Sequence, residues 1–175
     1  MAPTAVSSGA QYDLAILSST PNLRVLTPSR RKLIAGDIFT LSPKEGLFVF
    51  GRVVSTDALA GPIRSLNLMY IYDETQNTPE PPPEDVITPE RLLVPPMMIN
   101  RLPWSRGYFE NIAHRGVTPM QLLPQHCFKD SRGRYYDEHG NELIRPVEPV
   151  GERGVQSFRT VDDAVSDALG IPRAP

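Results

Sequence analysis

Residues 36–55 read GDIFTLSPKEGLFVFGRVVS. Two runs rich in β-branched and aromatic residues, GDIFTL and LFVFGRVVS, flank SPKEG, where a proline and a glycine break the pattern. This is strand, turn, strand. Gly51 interrupts the second run, and an interior glycine in a strand marks a bulge or bend of the kind a curled sheet needs. A third strand is predicted over 66–73 (LNLMYIYD), where Leu66, Leu68, Tyr70 and Tyr72 fall on one face.

Outward from this core the chain is loop-heavy. It has 19 prolines in 175 residues, more than twice the usual share, and each fixes φ and removes a donor, which discourages long helices and central strands. Further short strands are predicted at 97–100 (MMIN), at 108–114 (YFENIAH), and on either side of DSRGR, where Cys127-Phe128-Lys129 and Tyr135-Tyr136-Asp137 form a hairpin signal. His139-Gly140-Asn141 is a further turn. Thr88-Pro89-Glu90 reads as an N-cap, a proline and an acidic first turn, opening a helical turn through Leu93 that Pro95-Pro96 stops. Residues 160–169 (TVDDAVSDAL) form an amphipathic helix closed by Gly170, with Val161, Val165, Ala168 and Leu169 on one face that docks on the sheet or on a partner.

The expected fold is therefore β-rich, all-β to α+β. It is a single domain built as a bent antiparallel sheet or small open barrel with one or two short helices. The expected organisation is a flexible N-terminal arm over 1–29, in which 12–17 (YDLAIL) could add a strand, a β-rich domain over 30–144, and a C-terminal extension with a short helix over 145–175.

Charge is distributed unevenly. Residues 65–90 hold six acidic side chains (Asp73, Glu74, Glu80, Glu84, Asp85, Glu90) and no lysine or arginine, whereas 91–135 hold seven basic and two acidic. An acidic stretch repels nucleic acid and steers a basic partner; it is also a common solvated loop. Within it, Pro81-Pro82-Pro83 is extended polyproline II, either a ligand for aromatic grooves or a stiff connector. Trp104, the only tryptophan, lies in a Pro/Gly turn between Arg101 and Arg106 and is either a contact hot spot or a cap on the core. Arg30-Arg31-Lys32 is a basic cluster that could touch nucleic acid or form a solvated edge. The candidate partner-binding residues are thus Asp73, Glu74, Glu80, Glu84, Asp85, Trp104 and Arg106.

Catalytic signals are weak. Nothing fits GxxxxGK[ST] or GxGxxG, and one cysteine with three scattered histidines gives no zinc spacing, so no catalytic, cofactor-binding or metal residues are assigned. His126 and Cys127 are adjacent, and neighbours on a strand point to opposite faces. His114 with an aspartate is the remaining hydrolase reading; Asp37 and Asp73 read better as carboxylates that fix local backbone turns. One cysteine fits a reducing compartment, and no stretch approaches the roughly 20 apolar residues of a membrane helix. The expected location is the cytoplasm.

Taken in order, GDIFTL at 36–41, FGRV at 50–53, YIYD at 70–73, Asn100 with Trp104 and Gly107, Ile112 with His114, and FKDSRGRYYDEHGNE at 128–142 resemble the immunity protein 26 family of bacterial polymorphic toxin systems. The resemblance spans roughly 30–143. It implies a β-rich, non-enzymatic cytoplasmic protein that binds a cognate bacterial toxin domain and blocks it. The acidic stretch argues against a nucleic-acid partner, and the lack of a long apolar run argues against a membrane one. The rival expectation is an adaptor or structural component of a larger assembly, contacting its neighbours through the Pro-rich segment and the tail helix.

Overall fold

The 36–55 hairpin becomes β1 (Asp37–Lys44) and β2 (Leu47–Ala60), and the third predicted strand lies within β3 (Ile63–Gln76). The structure, a computed structural model, describes residues 20–175. The expected strand at 12–17 and most of the expected arm lie outside the described residues. β4 (Met97–Ile99), β5 (Glu110–His114) and β10 (Val155–Gln156) complete a six-stranded sheet ordered β10-β4-β3-β2-β1-β5. A second sheet holds β6 (Cys127–Lys129), β7 (Tyr135–Tyr136), β8 (Glu142–Leu143) and β9 (Val150–Glu152) in the order β8-β7-β6-β9.

The β-rich, single-domain reading holds, but the sheet differs from a simple antiparallel one. There are two sheets, neither closed into a barrel, and each carries one parallel pair: β10 with β4 and β9 with β6. The parallel pairs arise because the chain beyond residue 144 returns along both sheets. β2 and β3 run to 14 residues each, longer than the proline content suggested, because register shifts let the pair bend and continue.

Both faces of the central sheet are covered. On one face Phe39, Val53, Met69 and Ile71 meet Leu23, Trp104, Phe109, Val161 and Val165. On the other, Ile38, Val54, Leu68, Tyr70 and Tyr72 meet Ile87, Met98 and Phe128. Strands packed on both sides lose the clean apolar/polar alternation. Gly51 shows why the hairpin needs a glycine beyond any bend: a Cβ there would lie 2.3 Å from Phe39 Cζ and 2.6 Å from the Tyr70 carbonyl oxygen. Gly51→Ala should destabilise the fold by about 2 kcal/mol through overpacking, read as a lower urea midpoint; an unchanged midpoint would show that the Phe39 ring yields freely.

Two helices pack on the first face. α1 (Leu102–Arg106) is one turn and a half, where a plain turn was expected, and Gly107 closes it in the left-handed conformation. α2 (Phe158–Leu169) begins two residues earlier than predicted. Its cap is Ser157, whose hydroxyl accepts from the Thr160 N–H at 3.2 Å while Thr160 Oγ1 accepts from the Ser157 N–H at 2.9 Å. Val161 and Val165 are fully buried in this chain's own core, so that part of the apolar face is already occupied.

Helical structure over 91–93 does not form. Arg91 N–H donates to the Thr88 carbonyl in a single turn, and the chain then runs beside β3, with Leu92 bridging Tyr72 and Leu93 N–H donating to Ile71 O at 2.8 Å. An open strand edge offers several hydrogen bonds at once, whereas one helical turn offers little for the residues it fixes.

Candidate functional site

The acidic stretch runs off the end of β3 into a loop over residues 77–91, fastened at its ends and at its middle. At the ends, Asp73 N–H donates to the Arg91 carbonyl at 2.7 Å beside the Tyr72–Leu92 bridge. At the middle, Glu84 opens a short 3-10 turn (Glu84–Val86), and Ile87 behind it is buried against the second core. Arg52 of β2 is fully buried, and its Nη2 reaches both Glu84 oxygens at 2.6 and 2.7 Å. Arg115, just past β5, donates to Glu84 Oε2 at 3.2 Å and to the Pro82 carbonyl at 2.7 Å. Gln121 adds a donor to Glu84 Oε1 at 2.8 Å. The loop therefore lies across the sheet face from β3 toward the end of β5.

The predicted partner-binding residues divide into three groups. Glu80 and Asp85 are exposed on the loop, Asp73 is exposed near the end of β3, and Glu74 beside it on the same strand is half-buried, 3.6 Å from Arg91. Glu84 is the clamp's acceptor, bonded to Arg52, Arg115 and Gln121 while staying 38% exposed. Trp104 is in the core, 1% exposed, edge-on to Phe39 and Phe109, with Nε1 donating to Asn111 Oδ1 at 3.0 Å; this is the core role of the two expected for it. Arg106 is exposed at the end of α1, on a different element from the loop.

Arg52 was missed by sequence reasoning. Its only signal is a charged residue inside an otherwise apolar strand, FGRVV, which asks for a buried partner. The clamp is not fully satisfied: Arg52 Nε, Arg52 Nη1 and the Tyr72 hydroxyl are buried with no partner among the described residues. Burial pushes the Tyr72 hydroxyl well above the ordinary tyrosine range. Burial also pushes the Glu84 carboxyl up, but the Arg52 and Arg115 guanidiniums outweigh it and hold the group below its usual value.

That depression has a sign. A carboxyl lowered in the folded state contributes stability above its unfolded value, and loses it as pH falls through the lower folded value. Unfolding midpoints should fall as pH drops below about 4.5, the ordinary glutamate value, and Glu84→Gln should flatten this acid limb. Glu84 is 38% exposed, so added salt should shrink the difference. Identical acid limbs in the two proteins would remove Glu84 from the account.

Two further polar sets stand nearby. Tyr70 Oη lies 2.6 Å from His126 Nε2, and His126 Nδ1 lies 3.1 Å from Glu138 Oε1, which ties β3 to the second sheet. Burial pushes the Tyr70 hydroxyl up to about 12. Cys127, next in sequence, is buried and accepts weakly from the Val147 N–H. Asp37 is fully buried and accepts from Ile34 N–H at 3.0 Å and from Arg31 Nη2 at 3.0 Å, with His114 Nδ1 at 3.3 Å. The structure does bring His114 to an aspartate, but that aspartate also fixes a turn, as expected for Asp37. Grooves of about 470 and 500 Å3 lie elsewhere and are lined by neither residue.

The family model for immunity protein 26 matches residues 34–136. The chain belongs to this family. A search of curated proteins and a search of solved structures each returned no match. The immunity protein 26 match covers β1 to β7, the acidic loop and α1, and therefore every residue of the clamp. Beyond the match, β9, β10 and α2 extend both sheets and fill one face of the core. Among the described residues, no helix is long and apolar enough to cross a membrane.

Proposed function

We propose that this immunity protein 26 member is a non-catalytic cytoplasmic inhibitor that binds a cognate bacterial toxin domain, presenting the acidic stretch over residues 73–90, the end of β3 and the loop after it, to a basic cleft. The observation that supports this reading is the clamp. A loop fastened at both ends and at Glu84 has little conformational freedom left to lose, so its exposed carboxylates meet a partner pre-arranged. Long-range attraction between acidic loop and basic cleft speeds encounter, which suits an inhibitor that must reach its target before the target acts.

The test is association kinetics with the toxin domain encoded beside this chain, at low and physiological salt. The variant is Asp73→Lys/Glu80→Lys/Asp85→Lys, which spares the clamped Glu84. The association rate at low salt should fall about tenfold or more and lose most of its salt dependence. An association rate equal to that of the parent protein would sink the acidic loop as the contact. Failure of the parent protein to bind any toxin domain would sink the inhibitor reading itself.

A further inference from the structure

The basic cluster at 30–32 divides in the fold. Arg31 turns to Asp37, while Lys32 lines the groove of about 500 Å3. Thr56 of β2, Asn67 of β3 and Asn100 just past β4 also line it, so two neighbouring strands and the end of a third contribute. Lys32, Arg101 and Ser65 complete most of the wall. On this face of β3, Met69 and Ile71 enter the core, and Asn67 carries the same face out beyond it.

The charge of the lining points to an anion. No carboxylate lines the groove, and neither Lys32 nor Arg101 has an ion-pair partner among the described residues. In the other groove, by contrast, Arg173 is already held by Asp163 and Asp167. Asn67 is only 8% exposed and is held by its Nδ2 donating to the Ile99 carbonyl at 3.2 Å, so it offers a fixed polar group. The remaining polar lining is amide and hydroxyl, which suits a hydroxylated carrier; of these groups the Asn100 Oδ1 already accepts from the Leu102 N–H at 2.9 Å, leaving its NH2 to donate. Ser65 is the one non-glycine residue with positive φ among the described residues, at 56°.

We propose that this groove binds a phosphate monoester carried on a small hydroxylated molecule, either a sugar phosphate or a mononucleotide. Lys32 and Arg101 face the phosphate, and Asn67, Asn100 and Thr56 face the carrier. The site shares no residue with the acidic loop and does not depend on the toxin reading.

The experiment titrates the full chain with ribose 5-phosphate, adenosine 5′-monophosphate, ribose and inorganic phosphate, following backbone amide shifts. Ribose 5-phosphate should saturate in the millimolar range or below and move the amides of Thr56, Asn67 and Arg101. Ribose alone should not saturate, and inorganic phosphate should bind more weakly. Lys32→Gln/Arg101→Gln should weaken binding about tenfold or more, the worth of a lost charged hydrogen bond. Both side chains are exposed, so the unfolding midpoint of this variant should match the parent's and keep the result readable. Tighter binding of the mononucleotide assigns the carrier to nucleotides; equal or weaker binding assigns it to sugar phosphates. No saturable shift with either ester, equal affinity for inorganic phosphate, or unchanged affinity in the double variant overturns the proposal.

Discussion

Trp104→Ala should cost the fold about 4 kcal/mol, much of the 5–15 kcal/mol that holds a domain of this size together. The indole is 1% exposed and wedged edge-on against Phe39 and Phe109, with ring centroids 5.1 and 5.0 Å away. Removing it opens a cavity beneath α1 and leaves Asn111 without its donor. Trp104→Phe keeps most of the apolar volume and should cost less than half as much. Urea denaturation followed by far-ultraviolet circular dichroism measures both, since the only tryptophan is lost as a fluorescent probe. The same pair tests the role of the residue: a core tryptophan predicts that folded Trp104→Phe binds its partner as the parent does. A selective loss of affinity in a stably folded Trp104→Phe would return the indole to the interface.

Glu84→Ala should destabilise by about 3 kcal/mol, because it strands a buried guanidinium. Arg52 is fully buried and Glu84 is its only ion-pair partner among the described residues. The reverse deletion differs in kind. Arg52→Met removes a charge whose Nε and Nη1 are already unpaired, and it leaves Glu84, half-exposed, with Arg115 and Gln121. Its cost should be well under half that of Glu84→Ala, or even slightly favourable. Urea midpoints of the two variants, with limited proteolysis of the 77–83 segment, give the comparison. Glu84→Ala should also speed cleavage there, since the clamp holds the loop down. Equal costs for the two variants would mean that the pair acts as an ordinary surface bridge.

Local features of the fold were legible in the sequence where the decisive interactions are near neighbours. The 36–55 hairpin, the DSRGR hairpin and the Gly170 cap depend on residues a few positions apart, and each appears where the pattern places it. The misreadings share a different cause. The Thr88 turn yields to the β3 edge, the length of β2 depends on bulges against β3, and Met69 and Ile71 are buried by helices far along the chain. The clamp is of the same kind: Arg52, Glu84 and Arg115 come from three separate segments, and nothing local at Glu84 distinguishes it from Glu80. The acidic loop could be seen as a charge run; that one of its glutamates is tied to a buried arginine could not.

Asn22 and Leu23 donate their backbone N–H groups to Asp162 at 2.8 and 3.1 Å, across 140 and 139 residues. Leu23 thereby reaches the same core as Val161 and Val165. During synthesis, a ribosome adding about 5–20 residues per second makes residue 22 on the order of ten seconds before residue 162. The earliest-made part of the described chain must therefore wait, undocked, for one of the latest. The packing of this one face joins two stretches far apart in the sequence, and it cannot be completed until both have been made.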